Sequence, residues 1–154
     1  MIFLDFDGVL APIRRWDRYE DLDPACVQVL NEIVAGCSAD VVVSSTWRYG
    51  KSVAELQAML DAKGFAGRVL DKTPTGPPGA DRREEIAAWL AAHDVVGYVI
   101  IDDHVDMGER RTHLVQTHPA HGLQPADAPR AIAVLMRPLT GSASRGALGR
   151  RDER

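Results

Sequence analysis

Short runs of β-branched and other apolar residues recur along the chain, separated by stretches in which apolar residues have helical spacing. The runs at 2–5, 40–44, 67–70, 95–101 and 113–116 predict five strands. The run at 40–44, DVVVS, contains consecutive valines without polar alternation, which is typical of a strand covered on both faces. Because strand and helix alternate, the pattern predicts a parallel sheet with right-handed crossovers.

Capping residues mark the starts of the predicted helices. The start signals are Asp23 before Pro24, Ser52 with Glu55, and Asp81 with Glu84. A last helical pattern covers 128–136. We therefore predict a doubly wound, three-layer α/β/α domain with a mainly parallel five-stranded sheet. It spans residues 1–137, and the small and charged residues of 138–154 predict a flexible tail that cannot bury a core.

Polar residues follow three of the predicted strands at the point where each strand ends. These residues are Asp5 and Asp7 after the first strand, Ser44, Ser45 and Thr46 after the second, and Asp102 and Asp103 after the fourth. In an open parallel sheet, ligands bind outside the carboxyl ends of the strands. We therefore expect these side chains to meet at one rim, where Gly8 lets the chain turn sharply after Asp7.

Four carboxylates at one rim would repel each other strongly without a cation. Oxygen ligands without Cys or His suit Mg²⁺, which also takes a phosphate oxygen of the substrate. The predicted metal ligands are Asp5, Asp7, Asp102 and Asp103.

The sequence DFDGV at 5–9, the serine after the second strand and IDD at 101–103 resemble the haloacid dehalogenase (HAD) superfamily of aspartate-nucleophile phosphohydrolases. The resemblance implies Mg²⁺-dependent hydrolysis of phosphomonoesters. Asp5 would attack phosphorus and form an aspartyl-phosphate, and Asp7 would act as general acid and base. The metal would be held by Asp5, the main-chain carbonyl of Asp7, and Asp102 or Asp103.

The resemblance leaves two of the motif positions open. Ser44, or alternatively Ser45, fills the second motif. Arg83 is the first choice for the basic residue of the third motif, with Arg82 as its close rival and Lys72 as a weaker one. The serine and the basic residue would hold the oxygens of the transferred phosphoryl group.

No predicted segment is long enough for the separate cap that closes over small substrates in this superfamily. SSTWR at 44–48, RREEI at 82–86, IDDHVDM at 101–107 and QTHPAHGL at 116–123 resemble the small HAD domains of RNA repair proteins. They are also similar to the 3′-phosphatase domain of polynucleotide kinase-phosphatases. This resemblance implies single-stranded nucleic-acid ends as substrates and an RNA-repair protein as partner.

Trp47 and Arg48 are positioned to stack on and contact a terminal nucleotide. The predicted substrate-binding residues are Gly8, Ser45, Thr46, Trp47, Arg48 and Arg82. Arg14, Arg15 and Arg18 with Trp16 and Tyr19 form a basic–aromatic cluster, interpreted either as a substrate-guiding loop or as a solvated surface.

Composition and charge limit the other functions. The chain has 154 residues, 45% hydrophobic and 26% charged, and its net charge of −4 excludes a broad basic field for nucleic acid. No apolar run is long enough to cross a bilayer and no signal-peptide pattern is present, so we expect a cytoplasmic protein with no membrane partner.

Three alternatives remain open at the level of sequence. They are a small-metabolite or nucleotide phosphatase, a non-catalytic Mg²⁺-binding module, and a receiver-like domain phosphorylated on Asp71. Retention of both Asp5 and Asp7 argues against the binding module. Val9, where phosphatases of the carboxy-terminal-domain type carry Thr, disfavours a phosphoserine substrate.

Overall fold

The computed structural model describes residues 1–15 and 21–139. The elements in chain order are β1 (Ile2–Leu4), α1 (Pro24–Cys37), β2 (Val41–Val43), α2 (Val53–Asp61), β3 (Val69–Lys72), α3 (Arg82–Ala91), β4 (Val99–Asp102), β5 (Leu114–Gln116) and α4 (Asp127–Leu135). Short 3₁₀ turns cover Thr46–Arg48 and Gly108–His113. The predicted three-layer α/β fold with helices on both sides of the sheet is confirmed.

The sheet has five parallel strands in the order β3-β2-β1-β4-β5. From β1 the chain adds β2 and β3 on one side, then crosses to add β4 and β5 on the other. The strand order therefore reverses between β1 and β4, and the carboxyl ends of these two strands flank the crevice that open α/β sheets use for ligands.

Alternate residues of the central strands face two separate hydrophobic clusters. Ile2 and Leu4 of β1 belong to the larger cluster, which the apolar faces of α1, α2 and α4 complete. Phe3 faces the opposite side, where it packs edge-on against Trp89 of α3. Because successive strand side chains point to opposite faces, a strand of three residues contributes to both cores.

The predicted capping boxes at the starts of α2 and α3 are confirmed. Ser52 and Asp81 each accept a hydrogen bond from the residue three positions on, and each returning glutamate closes a capping box. Two strands begin later in the structure than the sequence predicted. β3 begins at Val69, and β4 begins at Val99 instead of residue 95, since the apolar run there starts in a loop in which Val96 is 94% exposed.

No large cap covers the site within the described residues. The part of the predicted basic–aromatic cluster at 16–20 lies outside them, as do residues 140–154 of the predicted tail. The domain boundary near 137 and the flexible tail stay predictions. Among the described helices, none combines the length and the apolar character needed to span a bilayer.

Candidate active site

The turn after β1 holds Asp5 in a buried position. Asp5 is 3% exposed, and its Oδ1 accepts a hydrogen bond from the Phe6 amide at 2.8 Å. Gly8 has φ of +73°, and a Cβ built on it would lie 2.5 Å from Oδ2 of Asp103. Glycine at position 8 therefore allows both the left-handed backbone and the close approach of this turn to the end of β4.

A side chain beyond β5 fixes the same turn from the other side. Thr117 is buried, and its hydroxyl donates a hydrogen bond of 2.6 Å to the carbonyl of Gly8. Sequence reasoning missed Thr117 because nothing in QTHP marks its threonine as a partner of a residue so distant in the chain. The turn after β1 is thus fixed by a hydrogen bond from the residue that follows β5.

Asp5 and Asp102 share one cationic nitrogen. Nη1 of Arg82 lies 2.9 Å from Oδ2 of Asp5 and 2.6 Å from Oδ2 of Asp102. The other oxygen of Asp102 accepts a hydrogen bond from the His104 amide at 3.0 Å. The structure therefore brings two of the predicted metal ligands close enough to bind a single cation.

Burial and like charge change the titration of these carboxyl groups. Burial, reinforced by the charge of Asp102 and opposed by Arg82, raises the pKa of Asp5 to about 7. Burial, followed by the charge of Asp102, also raises the pKa of Asp103. A divalent cation at this rim would offset both effects, because it stabilises the ionised carboxylates.

Buried oxygens without partners also occur at this rim. Within the described residues, Ser44 Oγ, Thr73 Oγ1 and Asp103 Oδ1 are buried side-chain atoms that make no hydrogen bond. An unsatisfied buried oxygen costs about 1–3 kcal/mol unless a ligand pairs with it. Ser44, the first choice for the second motif, therefore has a hydroxyl available for a ligand at the end of β2. At the end of β4, Asp103 Oδ1 makes no hydrogen bond and lies 3.8 Å from Nε2 of His104.

The three candidates for the basic third-motif residue have different surroundings. Arg82, the first residue of α3, contacts the carboxylates of the site. Arg83 points away and pairs with Asp81 at 2.9 Å and Asp106 at 3.4 Å. Lys72 donates its hydrogen bond to the carbonyl of Lys51 at 2.6 Å. The geometry thus favours Arg82, the close rival, over our first choice Arg83, because Arg82 alone of the three contacts Asp5 and Asp102.

Arg48 does not lie at the open rim as predicted, since it is only 2% exposed. Its guanidinium makes five hydrogen bonds, to the carbonyls of Ser44, Ser45, Thr73 and Pro74 and to Oε2 of Glu85. Since the side chain has five N–H donors, none is left for a nucleotide. Arg48 therefore joins the end of β2, the loop after β3 and helix α3.

Glu85, the partner of Arg48, is a second residue that sequence reasoning missed. It lies 2.6 Å from Arg48, is buried, and accepts a further hydrogen bond from the Gly76 amide at 3.1 Å. In the sequence it appears only as one of two adjacent glutamates at the start of a helix, where acidic residues are common. Since Glu85 and Arg82 lie on the same helix, the ion pair also fixes the helix that carries Arg82.

Trp47 remains at the rim. Ser45 Oγ accepts a hydrogen bond from the Trp47 amide at 3.2 Å, and the indole packs edge-on against Phe6 with ring centroids 5.5 Å apart. Thr46 is exposed beside it. Both residues line a pocket of about 360 Å³ that also includes Asp7.

Asp71, the alternative phosphorylation site of a receiver-like domain, lies inside β3 instead of at its end. Its carboxylate accepts a hydrogen bond from the Trp89 indole at 2.7 Å. This placement separates Asp71 from the cluster formed by Asp5 and Asp102.

Comparison with known protein families gives one match. The family described as the HAD domain in Swiss Army Knife RNA repair proteins matches residues 1–128. This chain belongs to that family. No curated protein and no solved structure matches it significantly.

Membership confirms the predicted similarity to the small HAD domains of RNA repair proteins. Every predicted site residue lies inside the matched range. HAD domains typically use Mg²⁺, and the residues of this chain fit that ion. Its rim offers oxygen ligands, because Asp5 and Asp102 already share the cationic Nη1 of Arg82 and one oxygen of Asp103 makes no hydrogen bond.

One histidine belongs to the acidic cluster. Ligand atoms of Asp102, Asp103 and His104 lie within 4.8 Å of one another, although His104 itself is exposed. A single histidine after an acidic pair does not form a zinc spacing, so the sequence pattern gives no metal-binding signal at His104.

Proposed function

We propose that this HAD domain is a Mg²⁺-dependent phosphomonoester hydrolase that acts through an aspartyl-phosphate on Asp5. The observation that carries the proposal is the buried Asp5, whose carboxylate shares Nη1 of Arg82 with Asp102, together with the unpartnered Ser44 hydroxyl at the end of the adjacent strand. A buried nucleophile with cationic and hydroxyl groups around it suits transfer of a phosphoryl group.

In the proposed reaction a carboxylate oxygen of Asp5 attacks phosphorus while the bond from phosphorus to the leaving oxygen breaks. Asp7 donates a proton to that oxygen. Water then attacks the aspartyl-phosphate as Asp7 takes its proton, and inorganic phosphate leaves with Asp5 restored. Ser44 and Arg82 hold the phosphoryl oxygens on which negative charge accumulates.

The carboxylates of Asp5 and Asp102 and the main-chain carbonyl of Asp7 would hold Mg²⁺, with Asp103 beside them. When bound, the ion neutralises charge on the phosphoryl group and keeps Asp5 ionised. The Phe6 amide fixes one oxygen of the nucleophile Asp5, and the left-handed conformation of Gly8 turns the chain directly after Asp7.

The proposed substrates are 3′-phosphorylated ends of nucleic acid, acted on alone or together with an RNA-repair protein. Two observations support this proposal. The family takes its description from RNA repair proteins, and within the described residues no large cap encloses the site. An open rim admits the end of a polymer.

Phosphate release from a substrate panel, with Mg²⁺ and with a chelator, tests the function. The panel contains phenyl phosphate, mononucleotides, a phosphopeptide, and oligonucleotides phosphorylated at the 3′ or the 5′ end. We expect Mg²⁺-dependent release with preference for the 3′-phosphorylated oligonucleotide. Release from mononucleotides alone would assign the domain to small-metabolite hydrolysis, and no release from any substrate would leave a metal-binding module.

Replacing Arg82 with glutamine should lower kcat/KM by about a hundredfold to a thousandfold, because a charged ligand of the transferred phosphoryl group is lost. Arg83→Gln is the matched control. The same change one residue later removes only exposed ion pairs, so its kcat/KM should stay within about threefold of wild type. Steady-state phosphate release measures kcat/KM for both variants. A larger loss of kcat/KM in Arg83→Gln than in Arg82→Gln would make Arg83 the basic residue of the third motif.

A further inference from the structure

The pocket of about 360 Å³ beside Asp7 is lined by Asp7, Thr46, Trp47, Lys51 and Met59. In the proposed function Asp7 protonates the leaving oxygen, so the leaving group must lie within reach of the Asp7 carboxyl. This pocket is therefore where the leaving group would bind. The inference that follows rests on the proposed function and concerns which leaving group fits.

The apolar wall of the pocket is held in place by its neighbours. The main-chain amide of Trp47 donates a hydrogen bond to the Ser45 hydroxyl, and its indole packs against the Phe6 ring. Arg48, the next residue, is anchored in the core. Met59 adds a polarisable side chain. An indole that is already held in place binds a flat base at low entropic cost, because stacking tolerates any base.

Lys51 supplies the only cationic side chain of this pocket lining. Within residues 1–15 and 21–139 its ammonium group makes no ion pair or hydrogen bond. The nearby acid Glu55 is engaged in a capping box, where its carboxylate accepts a hydrogen bond of 2.6 Å from the Ser52 amide. Its hydrogen bonds to Ser52, and to a smaller extent the charge of Lys51, lower the pKa of Glu55. A pocket with an aromatic wall and a cation that makes no direct ion pair has the two groups that a nucleotide needs, one for its base and one for its phosphate.

A second pocket, of about 300 Å³, lies on the other side of the acidic cluster and is lined by Asp81, Arg82, His104, Asp106 and Met107. Its arginine, Arg82, is already shared by Asp5 and Asp102, and its carboxylates Asp81 and Asp106 are paired with Arg83. This pocket lining therefore offers no lysine or arginine without a carboxylate partner, whereas the Asp7 pocket offers Lys51.

We propose that the Asp7 pocket is a subsite for a leaving nucleoside that carries a second phosphate. Trp47 contacts the base, and Lys51 binds the phosphate on the other sugar hydroxyl of the same nucleotide. In an oligonucleotide that second phosphate is the first internucleotide linkage. The subsite thus selects a phosphorylated end of a nucleic-acid strand over a sugar phosphate or a phosphoprotein.

The test compares kcat/KM for phenyl phosphate, a nucleoside 3′-monophosphate and a nucleoside 3′,5′-bisphosphate. Wild type should prefer the bisphosphate over the monophosphate by about tenfold. Lys51→Gln should bring that ratio close to one and weaken its dependence on salt. Trp47→Leu should lower the preference for the nucleoside monophosphate over phenyl phosphate by about tenfold.

Lys63→Gln is the matched control, because Lys63 pairs with Asp21 at 2.7 Å and does not line the pocket. Both ratios should keep their wild-type values in this variant. Ratios within one variant cancel a general loss of folded enzyme, so they report on the subsite alone.

The proposed subsite is overturned if kcat/KM of wild type is about the same for the bisphosphate and the monophosphate. It is also overturned if Lys51→Gln leaves the ratio of these two kcat/KM values unchanged. Preference for a 5′-phosphorylated end that still depends on Lys51 supports the subsite while contradicting the 3′ polarity of the proposed function. If none of the substrates is hydrolysed, the proposed function fails. Calorimetric binding of the bisphosphate then decides the subsite: weaker binding to Lys51→Gln supports it, and equal binding overturns it.

Discussion

Replacing Asp5 with asparagine should lower the rate of phosphate release by about four orders of magnitude or more, because an amide cannot form the aspartyl-phosphate. Asparagine has nearly the same shape, so the turn after β1 should keep the hydrogen bond from the Phe6 amide. Single-turnover and steady-state assays with the 3′-phosphorylated oligonucleotide measure the loss. The control is Asp94→Asn, the same change at an exposed position, which should retain wild-type turnover.

Stability measurements on Asp5→Asn separate a chemical loss from a folding defect. Because the pKa of Asp5 is raised from 3.8 to about 7 in the folded protein, the unfolded chain releases this proton at lower pH. Metal-free wild type should therefore lose stability relative to Asp5→Asn as pH rises from about 4 to about 7, with no further loss above that range.

Thermal unfolding in the presence of a chelator, at about pH 5 and about pH 8, measures this difference. The Tm advantage of Asp5→Asn should be larger at the higher pH, and added Mg²⁺ should stabilise wild type more than the variant. Full turnover by a folded Asp5→Asn protein would remove the proposed mechanism. An equal Tm difference at both pH values would contradict the raised pKa of Asp5.

Replacing Arg48 with methionine should lower the free energy of unfolding by about 3–5 kcal/mol. The change leaves the carboxylate of Glu85 buried without its counter-ion and removes the donors of four main-chain carbonyls. Urea unfolding of the metal-free protein measures this loss. In the double variant Arg48→Met/Glu85→Gln the buried charge is gone, so part of the lost stability should return.

Arg68→Met is the matched control for the Arg48 experiment. Arg68 also pairs with a carboxylate, that of Asp40, but its side chain is 64% exposed to solvent. Water already screens this pair, so its loss should change the unfolding midpoint little. If Arg48→Met and Arg68→Met had the same urea midpoint, the buried pair of Arg48 and Glu85 would not stabilise the fold more than an exposed pair does.

The order of strands and helices was predictable because each element carries its own local signal. The valines of 41–43 require cover on both faces, and the capping boxes at Ser52 and Asp81 fix where two helices begin. The start of β4 was placed too early, since an apolar run does not reveal where hydrogen bonding to the neighbouring strand begins. In the structure that pairing starts at Val99, opposite Ile2.

The pairing of Arg48 with Glu85 was not predictable, because the two residues are separated by 37 positions and lie on elements that meet only in the folded sheet. An arginine beside a tryptophan after a catalytic-type serine resembles a substrate contact in the sequence. In the structure Arg48 is buried, so it does not contact a substrate. A guanidinium enclosed by the protein must use its donors on nearby carbonyls and carboxylates.

The sequence by itself determined the fold class and the chemistry of the rim. Carboxylates and a serine directly after apolar strands must gather at one edge of a parallel sheet, whatever the details of packing. Only the tertiary structure distinguished the surroundings of Arg82 from those of Arg83. Consecutive residues of a helix point about 100° apart, so the orientation of α3 against the sheet directs one guanidinium to Asp5 and Asp102 and the other to solvent.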